Sequence, residues 1–238
     1  MPRDEVAFQD LLSEGFSIFK DNLFVSIGGA AILAWVPLLI VIIPAGLIGF
    51  VVAGGTAFLA KGAGNDTATF AAMMAVLPVA IVAALVFAVL YNLVRVGWTR
   101  ICLKLNKREE ATFGDLAESM PWFVNFLITC VIIGIATTIG GLLLIVPGVF
   151  IAVRTSFAPY LVVEKNMSAI EAIMKSNELV TGYSWQILGY LVLLYVANAV
   201  ACNIPILQFV LGPAIMAYFD IVLARIYLMR VGELREFR

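Results

Sequence analysis

The chain has 238 residues, of which 63% are hydrophobic and 13% are charged, and its formal net charge is −1. A soluble globular domain carries about 25% charged residues. The composition therefore excludes a soluble globular domain and predicts a helical protein that crosses a membrane several times. The chain has no histidine, which removes the commonest catalytic base and metal ligand. We therefore expect no metal, no cofactor and no enzymatic activity. An enzyme built on serine or carboxylate side chains is the alternative.

The first segment of the chain is amphipathic. Residues 4–20 interleave apolar and charged side chains at close to helical spacing, which predicts a helix lying on the membrane surface. Residues 23–60 form a largely apolar run that contains Pro37 and Pro44. A straight helix of this length would extend about 57 Å, well beyond a hydrocarbon core of about 30 Å. This first span must therefore kink, tilt or protrude. A second span covers residues 70–104.

Two further surface helices are predicted, each ahead of a pair of spans. One covers residues 112–120. The other covers residues 168–182, where Ser168 and Glu171 have the spacing of a capping box and Gly182 suits the helix end. The four remaining spans cover residues 123–146, 147–163, 185–202 and 206–229, with tight turns expected at Pro147-Gly148 and at Pro205.

Basic residues determine the expected orientation of the spans. One cluster lies at the end of the second span and just after it, and another lies near the C-terminal end of the chain. They comprise Arg95, Arg100, Lys104, Lys107 and Arg108, and then Arg225, Arg230, Arg235 and Arg238. The positive-inside rule places both clusters in the cytoplasm. A separate span at 45–60 would move the first cluster outside, so we predict six spans with both termini cytoplasmic.

A surface helix followed by two spans recurs three times along the chain. Residues 10–33 and 171–194 align in pattern without a gap, and residues 115–135 follow the same pattern with a short deletion. Such recurrence is typical of membrane proteins built from internal repeats. The predicted fold is all-α, a single integral membrane domain over residues 1–238. Its six transmembrane helices form three hairpins, each preceded by an amphipathic surface helix.

Four polar residues within the predicted spans are candidate functional residues: Arg154, Asp220, Asn198 and Asn92. A charge at membrane depth costs several kcal/mol unless it is paired or hydrated. Arg154 therefore either forms a structural ion pair or a hydrogen bond to backbone, which is the favoured interpretation, or contacts a lipid headgroup or solute. Asp220 is either the partner of Arg154 or a proton or cation site, and elimination of other partners favours the pair. The two asparagines are more typical of hydrogen bonds between helices.

The basic cluster after the second span has two interpretations. Arg95, Arg100, Lys104 and Arg108 stand beside Trp98, an arrangement that suits contacts with anionic lipid headgroups. The simpler interpretation is topological anchoring, which every membrane protein of this kind requires. The sequence favours anchoring without excluding headgroup contacts.

The first two spans are longer than a bilayer requires, which is roughly 20 helical residues. An apolar projection left bare in water would aggregate. We therefore expect a neighbouring copy of the chain to cover it. The sequence thus predicts a homo-oligomer whose contacts include residues 45–75.

Residues 146–189 carry a recognisable pattern, VPGVFIAVRTSFAPYLVVEKNMSAIEAIMKSNELVTGYSWQILG. Its motif positions are Pro147, Gly148, Arg154, Ala158, Pro159, Tyr160, Glu171, Ala172, Ser176, Glu178, Leu179, Gly182 and Trp185. In this pattern the chain resembles the YciC-like family of bacterial inner-membrane proteins and the membrane domain fused to some glycerophosphoryl diester phosphodiesterases. The resemblance implies a six-span protein of the bacterial inner membrane. We expect no phosphodiesterase activity, because the sequence contains no counterpart of that catalytic domain.

Three functions follow from these observations. The favoured one is an oligomeric scaffold, or a lipid-organising and lipid-binding protein of the bacterial envelope, because surface helices are present and reactive groups are not. The second is a channel or transporter that uses Arg154 and Asp220. The third is a membrane enzyme acting on lipid. The expected partners are membrane lipids and further copies of the chain, and no nucleic-acid partner is expected.

Overall fold

The computed structural model describes the backbone of residues 8–60, 65–203 and 205–232. Within these ranges the chain is all-α, with nine α-helices, one 3₁₀ helix and no strand. The α-helices are α1 (Phe8–Asp21), α2 (Leu23–Ala60), α3 (Asn65–Asn106), α4 (Met120–Leu143), α5 (Ile145–Arg154), α6 (Ala158–Lys165), α7 (Ala169–Val180), α8 (Ser184–Cys202) and α9 (Pro205–Val231). The 3₁₀ helix covers Phe113–Ser119 and leads directly into α4.

Six helical segments of the described chain are long and apolar enough to cross a membrane. They are Leu23–Phe50, Leu77–Asn106, Met120–Leu143, Val146–Lys165, Ser184–Ala201 and Leu211–Val231. The prediction of an all-α fold with six spans is confirmed. Residues 45–60 do not form a helix of their own, because α2 runs without a break from Leu23 to Ala60 through two internal prolines.

The chain divides into two compact units. One consists of residues 1–31 and 92–238, and the other of residues 32–91. The expectation of a single membrane domain stays a prediction. So does the homo-oligomer, because the side chains of residues 51–73, at the centre of its expected contact region, lie outside the part of the chain that the structure describes.

The predicted surface helices are present ahead of α2, α4 and α8. The first is α1, although residues 4–7 of the predicted segment lie outside the described residues. The second is the short 3₁₀ helix. The third is α7, where Glu171 accepts hydrogen bonds from the backbone N–H and the hydroxyl of Ser168, at 3.2 and 2.8 Å. After α7, Gly182 has a φ of +92°, a conformation that glycine adopts without strain.

The fifth predicted span, residues 147–163, is not one continuous helix. It consists of α5 and α6, and Thr155 between them leaves the helical conformation. Pro159 has no N–H to continue the helical hydrogen bonds across this point. Ser176 of α7 compensates for the break. Its hydroxyl accepts a hydrogen bond from the Phe157 N–H at 3.1 Å and donates one to the Arg154 carbonyl at 2.9 Å.

The turn expected at Pro147-Gly148 lies three residues earlier, so that prediction was wrong. Leu144 has an extended backbone, and Pro147 and Gly148 belong to the first turn of α5. A proline is tolerated there because the first helical N–H groups have no partner within the helix. Gly148 instead allows α5 to approach α4. A Cβ at this position would lie 2.7 Å from the backbone nitrogen of Gly141. At the other predicted turn, α9 begins at Pro205 itself.

The core of the first unit, residues 1–31 and 92–238, is aromatic. Its largest fully buried side chains include Trp98, Phe126, Phe157, Tyr190 and Tyr227. The short helix α6 is buried along most of its length. Buried tyrosine and tryptophan side chains need partners for their O–H and N–H groups. In this unit those partners come largely from α9 and from carboxylates, which creates the polar clusters described next.

Candidate functional site

Asp220 of α9 is held by two side chains from α3. The indole N–H of Trp98 donates to its Oδ2 at 2.8 Å, and Arg95 Nη2 lies 3.5 Å from its Oδ1. The Asp220 side chain is only 14% exposed. A carboxylate this deeply placed requires such compensation, because an unpaired buried charge is costly.

Two tyrosines bond the backbone of α9 next to this carboxylate. The hydroxyl of Tyr160 donates to the carbonyl oxygen of Asp220 at 3.2 Å. The hydroxyl of Tyr190 donates to the carbonyl oxygen of Phe219. These tyrosines come from α6 and α8, so the segment around Asp220 is bonded from three helices. The arrangement is a rigid, satisfied polar cluster.

A second cluster surrounds Glu164 at the end of α6. Its side chain is 7% exposed, and it receives Lys107 Nζ at 2.6 Å. The hydroxyl of Tyr227 donates to its other oxygen at 2.5 Å. Glu164 was not among the candidate residues chosen from the sequence. The residues around Glu164 in the sequence do not indicate its partners, because Lys107 and Tyr227 are distant from it along the chain.

Two further ion pairs tie the surface helices to the long helices. Glu14 of α1 pairs with Arg225 of α9. Burial raises the pKa of the Glu14 carboxyl, and the charge of Arg225 offsets part of that rise. In the 3₁₀ helix, Asp115 lies 2.5 Å from Lys104 Nζ. Burial also acts to raise the pKa of Asp115. The hydrogen bonds from Lys104 and from a backbone N–H outweigh it, so this pKa lies below its ordinary value.

Arg154 has a separate environment at the end of α5. Its Nη1 donates to Asn177 Oδ1 at 2.7 Å and lies 3.4 Å from the hydroxyl of Thr181, both on or just after α7. Its guanidinium lies over the ring of Phe150, with 4.6 Å to the ring centroid.

The Arg154–Asp220 pair expected from the sequence is not formed. Arg95 and Trp98 are the partners of Asp220 instead, although their place in the sequence indicated only a basic cluster at the end of the second span. The break after Arg154 also places α7 beside its guanidinium, and α7 supplies neutral polar partners. The two charged residues therefore belong to different clusters.

Most of the predicted headgroup-binding cluster contacts protein groups. Arg95 pairs with Asp220, Lys104 pairs with Asp115, and Arg100 lies over the ring of Trp122 at 5.1 Å. The fourth member, Arg108, lines a polar cleft of about 600 Å³ at the end of α1 and the segment after α3. The role of these residues in headgroup binding stays a prediction.

The two candidate asparagines are half-buried. Asn92 lies on α3 and Asn198 lies on α8. Among the described residues, none of the hydrogen bonds around Asp220, Glu164 or Arg154 given above involves either asparagine. The interhelical role of the asparagines stays a prediction.

Among the described residues, no three His, Cys, Asp or Glu side chains are grouped as a metal ion would require.

The unit of residues 32–91 contains an apolar groove of about 430 Å³. Residues of α2 and α3 line it, and none of them has a polar side chain. They are Ile40, Val41, Pro44, Ala45, Ile48, Pro78, Val79, Val82, Ala83 and Val86. Pro44 and Pro78 stand on the two sides of the groove. Prolines are tolerated within membrane helices.

Comparisons with family models, with curated proteins and with solved structures gave no match. The resemblance to the YciC-like family therefore stays a prediction. The polar clusters, the environment of Arg154 and the apolar groove are the structural features that bear on function.

Proposed function

We propose that the chain is a non-enzymatic, multi-pass protein of the bacterial inner membrane that binds and organises lipids as a homo-oligomer. The support for a membrane location is the set of six long apolar helices. The distribution of basic residues favours cytoplasmic termini. The assignment to the bacterial inner membrane rests on the resemblance of residues 146–189 to the YciC-like family.

The apolar groove between residues of α2 and α3 carries the proposal. A cavity lined only by apolar side chains has no group that would orient a polar substrate. Its lining falls within or beside the segments Leu23–Phe50 and Leu77–Asn106, which are apolar enough to span the bilayer. At that depth the surrounding medium is lipid hydrocarbon, so an acyl chain is the occupant that matches the groove in chemistry.

A channel or transporter through Arg154 and Asp220 is the alternative, and it has less support. The two side chains have different partners. Asp220 is engaged by Trp98 and Arg95 and is largely buried. A conducting pathway built on these two residues would require them to share a polar route, and their partners give no sign of one.

The test is native mass spectrometry of the protein released from mild detergent, with copy number and retained lipids measured together. Ala83→Phe places a ring in the groove and should reduce the number of retained lipids per chain. Ala84→Phe, on the neighbouring position outside the lining, is the matched control and should not. Lipid retention that is equal in both variants, or absent from the unmodified protein, would refute the proposal.

A further inference from the structure

Arg154 lies at the end of an exposed apolar line on α5. Val146, Phe150 and Arg154 are spaced four residues apart, so they share one face of the helix. Val146 is 77% exposed and Phe150 is 54% exposed. This face is therefore apolar for two turns and then ends in a guanidinium group. This order, an apolar surface followed by a charge, matches a phospholipid, in which a hydrocarbon chain is followed by a charged headgroup.

The charge of Arg154 is not neutralised by the described residues. No carboxylate among them lies within 4.0 Å of its guanidinium, whereas Arg95, Lys104, Lys107 and Arg225 each have one. Its Nε is buried and has no hydrogen-bond partner in the same part of the chain. A cation on an apolar face is costly unless an anion or water compensates it.

Helix α7 continues the same arrangement beside Arg154. Ile170, Met174, Asn177 and Thr181 follow one another at helical spacing, so they form a single stripe. The first two are exposed and apolar. The last two contact Arg154. The polar end of this stripe and the cationic end of the α5 face therefore coincide.

Thr181 has a positioning role in this arrangement. Its hydroxyl donates to the carbonyl oxygen of Asn177 at 2.8 Å and lies 3.4 Å from Arg154 Nη1. Asn177 Oδ1 is engaged by the same Nη1. Among the described residues, the groups that remain to bind a ligand are the second terminal nitrogen of Arg154 and the side-chain NH₂ of Asn177, since Arg154 Nε is buried. Both are hydrogen-bond donors, which an anionic oxygen requires.

We infer that Arg154 and Asn177 bind the phosphate of an anionic phospholipid whose acyl chain lies along Phe150 and Val146. A guanidinium is suited to phosphate because its N–H groups match the geometry of the phosphate oxygens. The inference rests on the proposed lipid-organising function and assigns it a headgroup site. This site belongs to the first unit of the chain, whereas the apolar groove belongs to the second.

The shared chemistry is a phosphate oxygen, which a lipid headgroup or free phosphate can supply. Purified protein in mild detergent is titrated with phosphatidylglycerol, with phosphatidylcholine and with inorganic phosphate. Bound molecules are counted by native mass spectrometry. We expect phosphatidylglycerol to bind the unmodified protein more tightly than phosphatidylcholine, and inorganic phosphate to bind weakly.

Three variants and one control test the assignment. Arg154→Gln should weaken phosphatidylglycerol binding roughly tenfold, the size expected for a lost hydrogen bond to a charged group. Phe150→Ala should weaken lipid binding and leave inorganic phosphate binding unchanged. Lys175→Gln, on the exposed side of α7 where Lys175 pairs with Glu178, is the control and should have no effect. Arg154→Lys should restore part of the binding, which separates loss of the site from loss of the fold.

Several outcomes would overturn the inference. Equal phosphatidylglycerol binding by the unmodified protein and Arg154→Gln would show that the site is elsewhere. Tight inorganic phosphate binding, with no effect of Phe150→Ala on lipid, would assign the site to a free anion. If Ala83→Phe loses lipid while Arg154→Gln retains it, the headgroup site fails and the proposed function stands. If the unmodified protein binds no lipid, both fail.

Discussion

The indole N–H of Trp98 donates to Asp220 Oδ2 at 2.8 Å, across 122 positions of the sequence. Gly29 packs against the same ring so closely that a side chain there would overlap it. One tryptophan therefore contacts the beginning of α2 and the middle of α9 from its place on α3. The Asp220 carboxylate belongs to the packing of the first unit, and its ion pair with Arg95 adds to that packing.

The first prediction concerns this carboxylate. Asp220→Asn should lower the free energy of unfolding by about 1–3 kcal/mol, because it removes the negative charge that Arg95 and the Trp98 N–H contact. Arg95→Gln should also destabilise, and the double variant should lose less than the sum of the two. Thermal unfolding in detergent measures all three. The control combines Asp220→Asn with Arg154→Gln. These losses should add, since the two residues have no common partner among the described residues.

The second prediction concerns the close approach of α5 to α4. Gly148→Ala should destabilise the protein by about 1–3 kcal/mol, because the new methyl group would overlap the backbone of Gly141. Gly134→Ala on α4 has open space around its Cβ position. That control should be neutral or slightly stabilising, since alanine favours a helix more than glycine does. Equal melting temperatures for the two variants would contradict the packing described here.

The third prediction concerns the break between α5 and α6. Ser176→Ala removes the hydroxyl that bonds both the Phe157 N–H and the Arg154 carbonyl, and Ser176 is fully buried. Leaving these groups unsatisfied should cost about 1–3 kcal/mol of unfolding free energy. Ser13→Ala on α1, where the hydroxyl is exposed, should change it by less than about 0.5 kcal/mol. A Ser176→Ala variant as stable as the control would show that the break is held by other contacts.

The fourth prediction contrasts the pH responses of two carboxylates. The pKa of Asp115 lies below its ordinary value of 3.8 in the folded protein. Its contribution to stability is therefore present above pH 3.8 and is lost as the pH falls through the folded pKa. The pKa of Glu14 lies above its ordinary value of 4.5. Its contribution is fully present below pH 4.5 and is lost as the pH rises through the folded pKa.

Unfolding measured from acid to neutral pH separates these two responses. Relative to the unmodified protein, Asp115→Asn should lose less stability on acidification below pH 3.8. Glu14→Gln should instead become relatively more stable as the pH rises above 4.5. A response of the same sign in both variants would contradict the environments assigned to the two carboxylates.

The fifth prediction concerns orientation in the membrane. If both termini are cytoplasmic, as the basic residues predict, residues 61–69, around the start of α3, should lie outside. After Cys102, Cys130 and Cys202 are replaced, a cysteine at Asn65 should react with an impermeant maleimide in intact cells, and one at Glu109 should not. The reverse labelling pattern would invert the topology.

The sequence alone determined the features that depend on local interactions. Composition and the length of apolar runs predicted six spans, because crossing a bilayer requires a run of apolar residues within one segment. The amphipathic spacing and the capping pair of Ser168 and Glu171 predicted α7, since their partners are three residues apart. The basic residues after the second span were recognised, although their partners were not.

Only the tertiary structure decided what each charged side chain contacts. Asp220 pairs with Arg95 and Trp98, and not with Arg154, because helices distant in sequence bring these groups together. The break after Arg154 depends on Ser176, which lies 22 residues further along the chain. Residue type shows that a buried charge or an unbonded backbone group needs a partner. Which partner it finds depends on the packing of several helices at once, and no single segment encodes that packing.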